Sequence, residues 1–576
     1  MKKLASFLAL LMSLSCLTAC DIAGLIGNIT GNKNSIESSV DGSGDSTDSN
    51  SSAEEDAEAF VEVLGAQEAV TLEPDKAHTY AVNQDISGKD YIKLVVDSNV
   101  QLVGNIKYHD VNDNTKVVTE DFFIENANGE TEFKQFLDRF RLNGHGLFDK
   151  QLLSITLINK GTENGTVTLK SVAVSSRKID DYEREVYVSR GELKVGADLA
   201  TGGTLTYLER TSYEGETVDE IISENDEVEI GVNAKAEAKK HLSSHVNLIN
   251  IYDAGRQFQQ SYYANVGGTS ADTPAEMQAG DYYGDKLPPD YGANGYERAM
   301  CTTADKNGYY WPYNPVQGGD CNSNPSQIID YQVSKNEIYI KVRAMDWAKG
   351  DTGRGLRNTV EGGVTTKSYM ENWYTIKGNM VYVRNRFVDW NGFKDLDKVP
   401  VHSNELPAAY VVHPLHNYVC YTGTDTTWSG ELTTIPDLGP WNVKAHPNHD
   451  PVEEWFAWVN DDGFGVGVYI PNTDVFASGR TNYTTHKDYV GNSNARQSPL
   501  AGKYRYNKPE CTYDWQSCYT TNTSYTAPVV NWTMKSFVPM EYTYIISVDY
   551  VGVMRQQFKD VFESQTVTNE TLSSWK

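Results

Sequence analysis

Four short segments set carboxylates beside aromatic and amide side chains. Met345-Asp346-Trp347-Ala348 follows a strand-like run, and Met370-Glu371-Asn372-Trp373 stands where another such run begins. His402-Ser403-Asn404-Glu405-Leu406-Pro407 reads as a polar turn entering an apolar strand, and Glu453-Glu454-Trp455 precedes a hairpin pattern around Asn460-Asp461-Asp462-Gly463. Glycoside hydrolysis needs two carboxyl groups flanking the scissile bond, one of them raised in pKa to act as acid. A neighbouring indole or phenol ring supplies that tuning, because an apolar wall disfavours the charged form. Glu405 leads, since it lies between hydrogen-bonding residues and a Leu-Pro that fixes the backbone direction. Glu371, Glu454 or Asp346 would be the second carboxyl. Each also has a plain structural reading, such as a turn that bonds neighbouring backbone amides, and Glu453 is expected to face solvent.

A second constellation is Gly255-Arg256-Gln257-Phe258-Gln259-Gln260-Ser261-Tyr262-Tyr263. If extended, it puts Arg256, Phe258 and Gln260 on one face and Gln257, Gln259 and Ser261 on the other. Three glutamines cannot share a dry core without many partners. They therefore read either as the lining of a cleft for a polyhydroxylated ligand or as a hydrogen-bonded structural strand. Arg256, Gln257, Gln260 and Tyr262 are the candidate substrate contacts here. Trp311 joins them from the Tyr309–Asp320 segment, whose prolines and glycines predict an aromatic loop, and His413 is a further contact. A different chemistry, elimination from a uronate, would use a Tyr or His as base and an Arg to neutralise the carboxylate; His402, Tyr410, His413 and Arg256 are the residues for it. A protein that only captures glycans would keep the aromatic platforms and need no carboxyl pair.

The elements that must position these residues are strands. Tyr91–Val96, Thr166–Val174, Glu337–Arg343 and Met380–Val388 alternate or run β-branched between Gly, Asn and Asp turns. Helical periodicity is nearly absent, with Thr217–Glu227 at most a short helix. Many strands without crossover helices predict an all-β chain of antiparallel sheets. Residues 60–178 suffice for one jelly-roll-type β-sandwich of about eight to ten strands, either a carbohydrate-binding module or a spacer. Its Phe122, Phe123, Phe133, Phe136 and Phe140 are spaced as core residues. A charged hinge from Arg177 leads to residues 182–576, one large all-β domain.

A formal net charge of -28 argues against nucleic acid as a partner, while 11% aromatic content suits stacking on sugar rings. Cys301–Cys321 and Cys511–Cys518 are the local disulfide pairings available to an exported chain, leaving Cys420 over. No cofactor or zinc-like spacing is read. The acidic turns at Asp110–Asn114 and Asp395–Asp397 offer oxygen ligands for a structural Ca²⁺.

Two resemblances extend this reading. The strand-rich opening from Val186 to Glu209, with Asn247–Tyr263 after it, resembles the entry of galactose-mutarotase-like β-supersandwiches, a fold also used by polysaccharide lyases and several glycoside hydrolases. It implies an antiparallel supersandwich for residues 182–576, the catalytic domain on this reading, and carbohydrate as substrate.

At the other end, Met1-Lys2-Lys3 and the apolar run Leu4–Leu17 form a secretory signal. It closes on Leu17-Thr18-Ala19-Cys20, which resembles the lipobox of bacterial lipoproteins. That implies cleavage after residue 19 and acylation of Cys20, with residues 20–59, rich in Ser, Asp, Asn and Gly, as a tether. The expected location is the cell surface, lipid-anchored to the outside of a bacterial membrane. Cys20→Ser should abolish palmitate labelling and membrane partitioning; a variant that still labels would refute the anchor.

Overall fold

The computed structural model describes residues 59–125, 129–137, 148–179, 184–212, 247–249, 257–262, 315–319, 325–346, 365–390, 402–412, 415–423, 428–435, 453–471, 523–526, 529–532 and 537–565, with backbone alone at 346, 402–405, 435, 523–526, 529–532 and 565. The signal, Cys20, the tether, Arg256, Trp311, His413, Phe140, residues 217–227, Asp395, Asp397 and the four cysteines of the expected disulfides lie outside these residues. The described chain is all-β except for one α-helix and a short 3-10 turn.

Strands between Val61 and Ser175 form two antiparallel sheets. One runs Val61–Leu64, Gly165–Ser175, Tyr91–Ser98, Gly129–Phe136, with Val70–Leu72 also on Gly165–Ser175; the other runs Ala77–Asp85, Lys150–Asn159, Leu102–Asp110, Asp113–Ile124. The period-2 pattern buries Ile92, Leu94 and Val96 against Ile106, Phe122, Leu152 and Leu157. Phe122, Phe123, Phe133 and Phe136 are all buried, as their spacing predicts. At the acidic turn, Asp110 accepts the Asn112 amide at 2.8 Å and lies 3.4 Å from Lys116 Nζ. Its charge is met by the chain itself. Among the described residues no three His, Cys, Asp or Glu side chains gather as a metal would require.

A three-stranded meander follows (Glu185–Arg190, Leu193–Asp198, Thr204–Arg210), and then one large antiparallel sheet. Its strand order is Thr433–Ile435, Asn417–Cys420, Trp455–Val459, Phe464–Tyr469, Met540–Tyr550, Met380–Asp389, Thr365–Lys377, Glu337–Asp346, Pro315–Val316, Gln259–Ser261, His402–Val412, Thr523–Thr526. The meander's Val195, Leu205 and Leu208 pack with Ile340, Tyr374, Val383 and Ile546 in one core.

Three local expectations change here. Glu371-Asn372-Trp373 lies in the middle of a strand, not at its start, and His402-Ser403-Asn404 is strand from its first residue. Pro315–Val316 pairs within the sheet despite the proline, because that ladder position uses the Pro315 carbonyl, which accepts the Tyr262 amide at 2.9 Å, and asks for no N–H.

The sandwich packs on the outer face of the large sheet, where Ile329, Tyr369, Val388 and Trp390 join its core. Arg177, expected in a hinge, is instead wedged among the rings of Tyr91, Phe136 and Tyr331 and paired with Asp330 at 3.0 Å. Buried Glu120 bridges the same seam, accepting the side-chain amides of Gln135 and Gln327.

The helix Val551–Gln565 was not read from the sequence. Val551-Gly552-Val553 prolongs the β-branched run of the preceding strand and masks the Met554, Phe558, Val561 spacing that marks a helix face. Those three residues pack on Val419, Trp455, Tyr469 and Ile545 at the other end of the outer face. The helix also corrects the reading of Glu453, which is buried. Its Oε1 lies 2.7 Å from Arg555 Nη2, and its Oε2 accepts from Arg555 Nε at 3.0 Å and Trp455 Nε1 at 2.9 Å. Simple alternation fails because Glu454 is left-handed at φ 62°, which breaks the pleat before the strand begins. Arg555→Met should strand that carboxylate and cost about 3–5 kcal/mol in denaturant unfolding, while Arg555→Met with Glu453→Met should recover most of it. A single variant as stable as wild type would show that the pair does not hold the helix.

Candidate functional site

The ladder gathers part of the expected constellation. Val529, Glu405, Ser261, Val316, Met345 and Thr365 occupy one register row across adjacent strands. Asp346 pairs with Pro315 in the next row. Neighbouring rows of a regular pleat alternate between faces, so regular pairing alone gives Glu405 and Asp346 no common face. A register shift between Arg343 and Met345 interrupts that regularity just before Asp346.

Beside Glu405's strand, Gln259–Ser261 sends Gln260 and Tyr262 over the inner face of the central strands. Tyr262 stacks on Phe387 with ring centroids 3.9 Å apart. Its hydroxyl donates to Gln260 Oε1 at 2.8 Å, and Gln260 Nε2 donates to the Glu371 carbonyl at 3.1 Å. On the same inner face, Asn372, Asn385 and Tyr542 stand opposite one another in a single row. Asn372 Nδ2 donates to Asn385 Oδ1 at 2.7 Å, and Asn385 Nδ2 donates to the Val383 carbonyl at 3.1 Å. All five of these polar side chains are buried.

The three glutamines are buried as well, which the cleft reading did not expect. For two of them the protein supplies partners: Gln259 Oε1 accepts the Gly318 backbone amide at 2.9 Å, and the Gln260 side chain is engaged by the Tyr262 hydroxyl and the Glu371 carbonyl. Gln317, Asn372 and Asn385 were not singled out in the sequence. The available signal was an Asn in mid-strand, where that residue is disfavoured unless its amide has work to do.

The remaining carboxylates lie elsewhere. Glu371 is on the outer face, its oxygens accepting Tyr339 Oη and Arg386 Nη1, each at 2.6 Å. Arg386 also pairs with Glu125 and Glu541, and Trp373 stands between the Tyr339 ring and the Arg384 guanidinium. Glu454 immediately precedes the strand Trp455–Val459 in the other half of the sheet order, its carbonyl accepting the Ile470 amide. Tyr410 is buried in its strand, and His416 Nε2 lies 3.1 Å from Asp461 Oδ1. The structure thus brings Glu405's strand together with Gln260 and Tyr262, and not with the Glu371 side chain or Glu454.

Burial sets the chemistry of the inner face. It pushes the hydroxyls of Tyr262, Tyr374, Tyr542 and Tyr544 above the ordinary tyrosine value of 10.0. These phenols are protonated at neutral pH, and those of Tyr262 and Tyr374 donate to Gln260 Oε1 and the Gly203 carbonyl.

No family model and no curated protein matches the chain. Among solved structures it is similar to a galactose mutarotase related enzyme from Lactobacillus acidophilus, at 10% identity over 63% of this chain and 97% of that one, with a TM-score of 0.27. A putative aldose 1-epimerase from Escherichia coli K12 shows 10% identity over 64% and 99%, TM-score 0.24. A glycosyl hydrolase family 38 protein from Enterococcus faecalis shows 7% identity over 88% and 46%, TM-score 0.27. Likeness at this level assigns neither family nor activity.

Raised folded-state tyrosine values fix a pH window. The protonated form is favoured in the fold, so this contribution to stability is fully present below pH 10 and lost as pH rises above it. Tyrosinate absorbance should therefore show a class that ionises only as the protein unfolds in alkali. Complete titration near pH 10 in a still-folded protein would contradict the burial of these four hydroxyls.

Proposed function

We propose that the chain is a surface-anchored carbohydrate-active enzyme, a glycoside hydrolase in which Glu405 supplies one catalytic carboxyl. The observation that carries this reading is the Ser261–Glu405 pairing. It sets the Glu405 backbone against the strand whose Gln260 and Tyr262 enter a buried face of amides and hydroxyls. Amides and neutral phenols are groups that recognise polyhydroxylated ligands without charge.

Asp346 is the better supported second carboxyl. It shares Glu405's end of the sheet, and the register shift before it is a device that re-aims side chains next to sites. Glu371, with both oxygens engaged on the outer face, and Glu454, in the far half of the sheet, have less in their favour. In this mechanism Glu405 gives its proton to the glycosidic oxygen as the bond to the sugar breaks. The second carboxylate takes a proton from the attacking water or attacks the sugar itself. Protonated inner-face tyrosines weigh against elimination by a phenolic base there.

The test is a polysaccharide and oligosaccharide panel, read for both reducing ends and unsaturated-uronate absorbance. Reducing ends without that absorbance are expected. Absorbance would establish a lyase, and binding with neither signal a capture protein. Glu405→Gln keeps volume and should fold normally, yet lose activity by a factor on the order of 10² to 10⁴ with glycan binding retained. Near-normal activity in that variant would remove Glu405 from the mechanism.

A further inference from the structure

On the inner face Asn372 Oδ1 ends a hydrogen-bond chain without a partner among the described residues. The hydrogen-bond chain there has a fixed direction. Asn385 must present its Nδ2 to the Val383 carbonyl, which turns its Oδ1 toward Asn372, and that in turn requires Asn372 to present its own Nδ2. Asn372 Oδ1 is therefore the end of the chain, and it is buried with no hydrogen-bond partner among the described residues. Flipping the Asn372 amide would not relieve this, because two carbonyl oxygens would then face each other. A buried acceptor without a donor costs about 1–3 kcal/mol, so a position that keeps one in mid-strand has a reason other than packing.

The surroundings say what kind of donor is missing. Asn372 sits in the row Ile340, Asn372, Asn385, Tyr542. Gln260 reaches the carbonyl of the adjacent Glu371, and Tyr262 lies on Phe387, two residues along from Asn385 on the same face. The one carboxylate near by in sequence, Glu371, points to the outer face and is held by Arg386. A cationic donor would find no buried counter-charge in this row, whereas a neutral hydroxyl would fit it.

We infer that Asn372 Oδ1 is a specificity-determining acceptor for one hydroxyl of a neutral sugar, positioned by Asn385. The inference rests on the carbohydrate reading above and adds the residue and the atom that select among sugars. A site that accepts from one hydroxyl rejects the analogue lacking it, because the acceptor is again left unmet.

The experiment uses the full chain and isothermal titration with neutral gluco-, galacto-, manno- and xylo-oligosaccharides, followed by monodeoxy forms of the best ligand. Wild type should bind, and should lose about 10- to 100-fold in affinity for one monodeoxy form. Asn372→Leu, which fills the site, and Asn372→Ala, which opens it, should weaken the parent ligand by about the same factor and bind that deoxy form no worse than the parent. Equal parent affinity in wild type and a folded variant would overturn the role of Asn372 while leaving the carbohydrate reading intact, and would mean that a water alone meets this atom. No binding of any oligosaccharide by wild type would overturn both. Equal wild-type affinity for the parent and every monodeoxy form would also overturn the inference, whether or not the variants fold.

Discussion

The inner face depends on how one buried amide is satisfied. Gln317 Oε1 accepts the backbone amide of Gln260, while its Nε2 lies 3.2 Å from the carbonyls of Gly202 and Gly203 and from the Tyr374 hydroxyl. A single side chain thus ties the turn of the meander, the short Gln259–Ser261 strand and a central strand into one unit. The turn can approach so closely only because it has no side chain. Gly202 is left-handed at φ 65°, and a Cβ there would stand 1.9 Å from the Gln317 carbonyl oxygen. Gly203, at φ 63°, leaves room for Ile340 in the same way. Each hydrogen bond is modest by itself, but losing the amide would leave several buried groups unmet at once.

That constraint divides the large sheet into faces with different work. Outside, the sheet is covered by the sandwich at one end and by the C-terminal helix at the other, and ion pairs such as Glu371–Arg386–Glu541 clad the strip between them. These charges answer one another, which is why carboxylates beside aromatics were misleading as a sign of catalysis at Glu371. Inside, charge is replaced by amides and phenols that burial keeps neutral. The pleat makes the distinction sharp: Glu371 and Asn372 are neighbours in sequence and serve opposite faces.

Much of the fold was legible because its signal is period-2 alternation. The strands at Tyr91, Gly165, Glu337 and Met380 appear where the pattern puts them. What escaped was decided by contacts distant in sequence. The helix Val551–Gln565 hid behind valines that continue a strand, and the burial of Glu453 follows from Arg555 about a hundred residues away together with the left-handed Glu454. The site was legible by composition more than by geometry. Gln260 and Tyr262 could be picked from an unusual run of amides, but their partners Gln317, Asn372 and Asn385 lie on strands that only the register brings near.

The central claim is that this inner face, beside the strand of Glu405, receives a neutral sugar. A crystal structure of the wild-type chain soaked with the tightest-binding oligosaccharide tests it most directly. The account predicts a sugar on the inner face near Phe387 and Tyr262, with one hydroxyl within hydrogen-bond distance of Asn372 Oδ1. A sugar bound only on the outer face around Trp373, with water alone at Asn372, would contradict it.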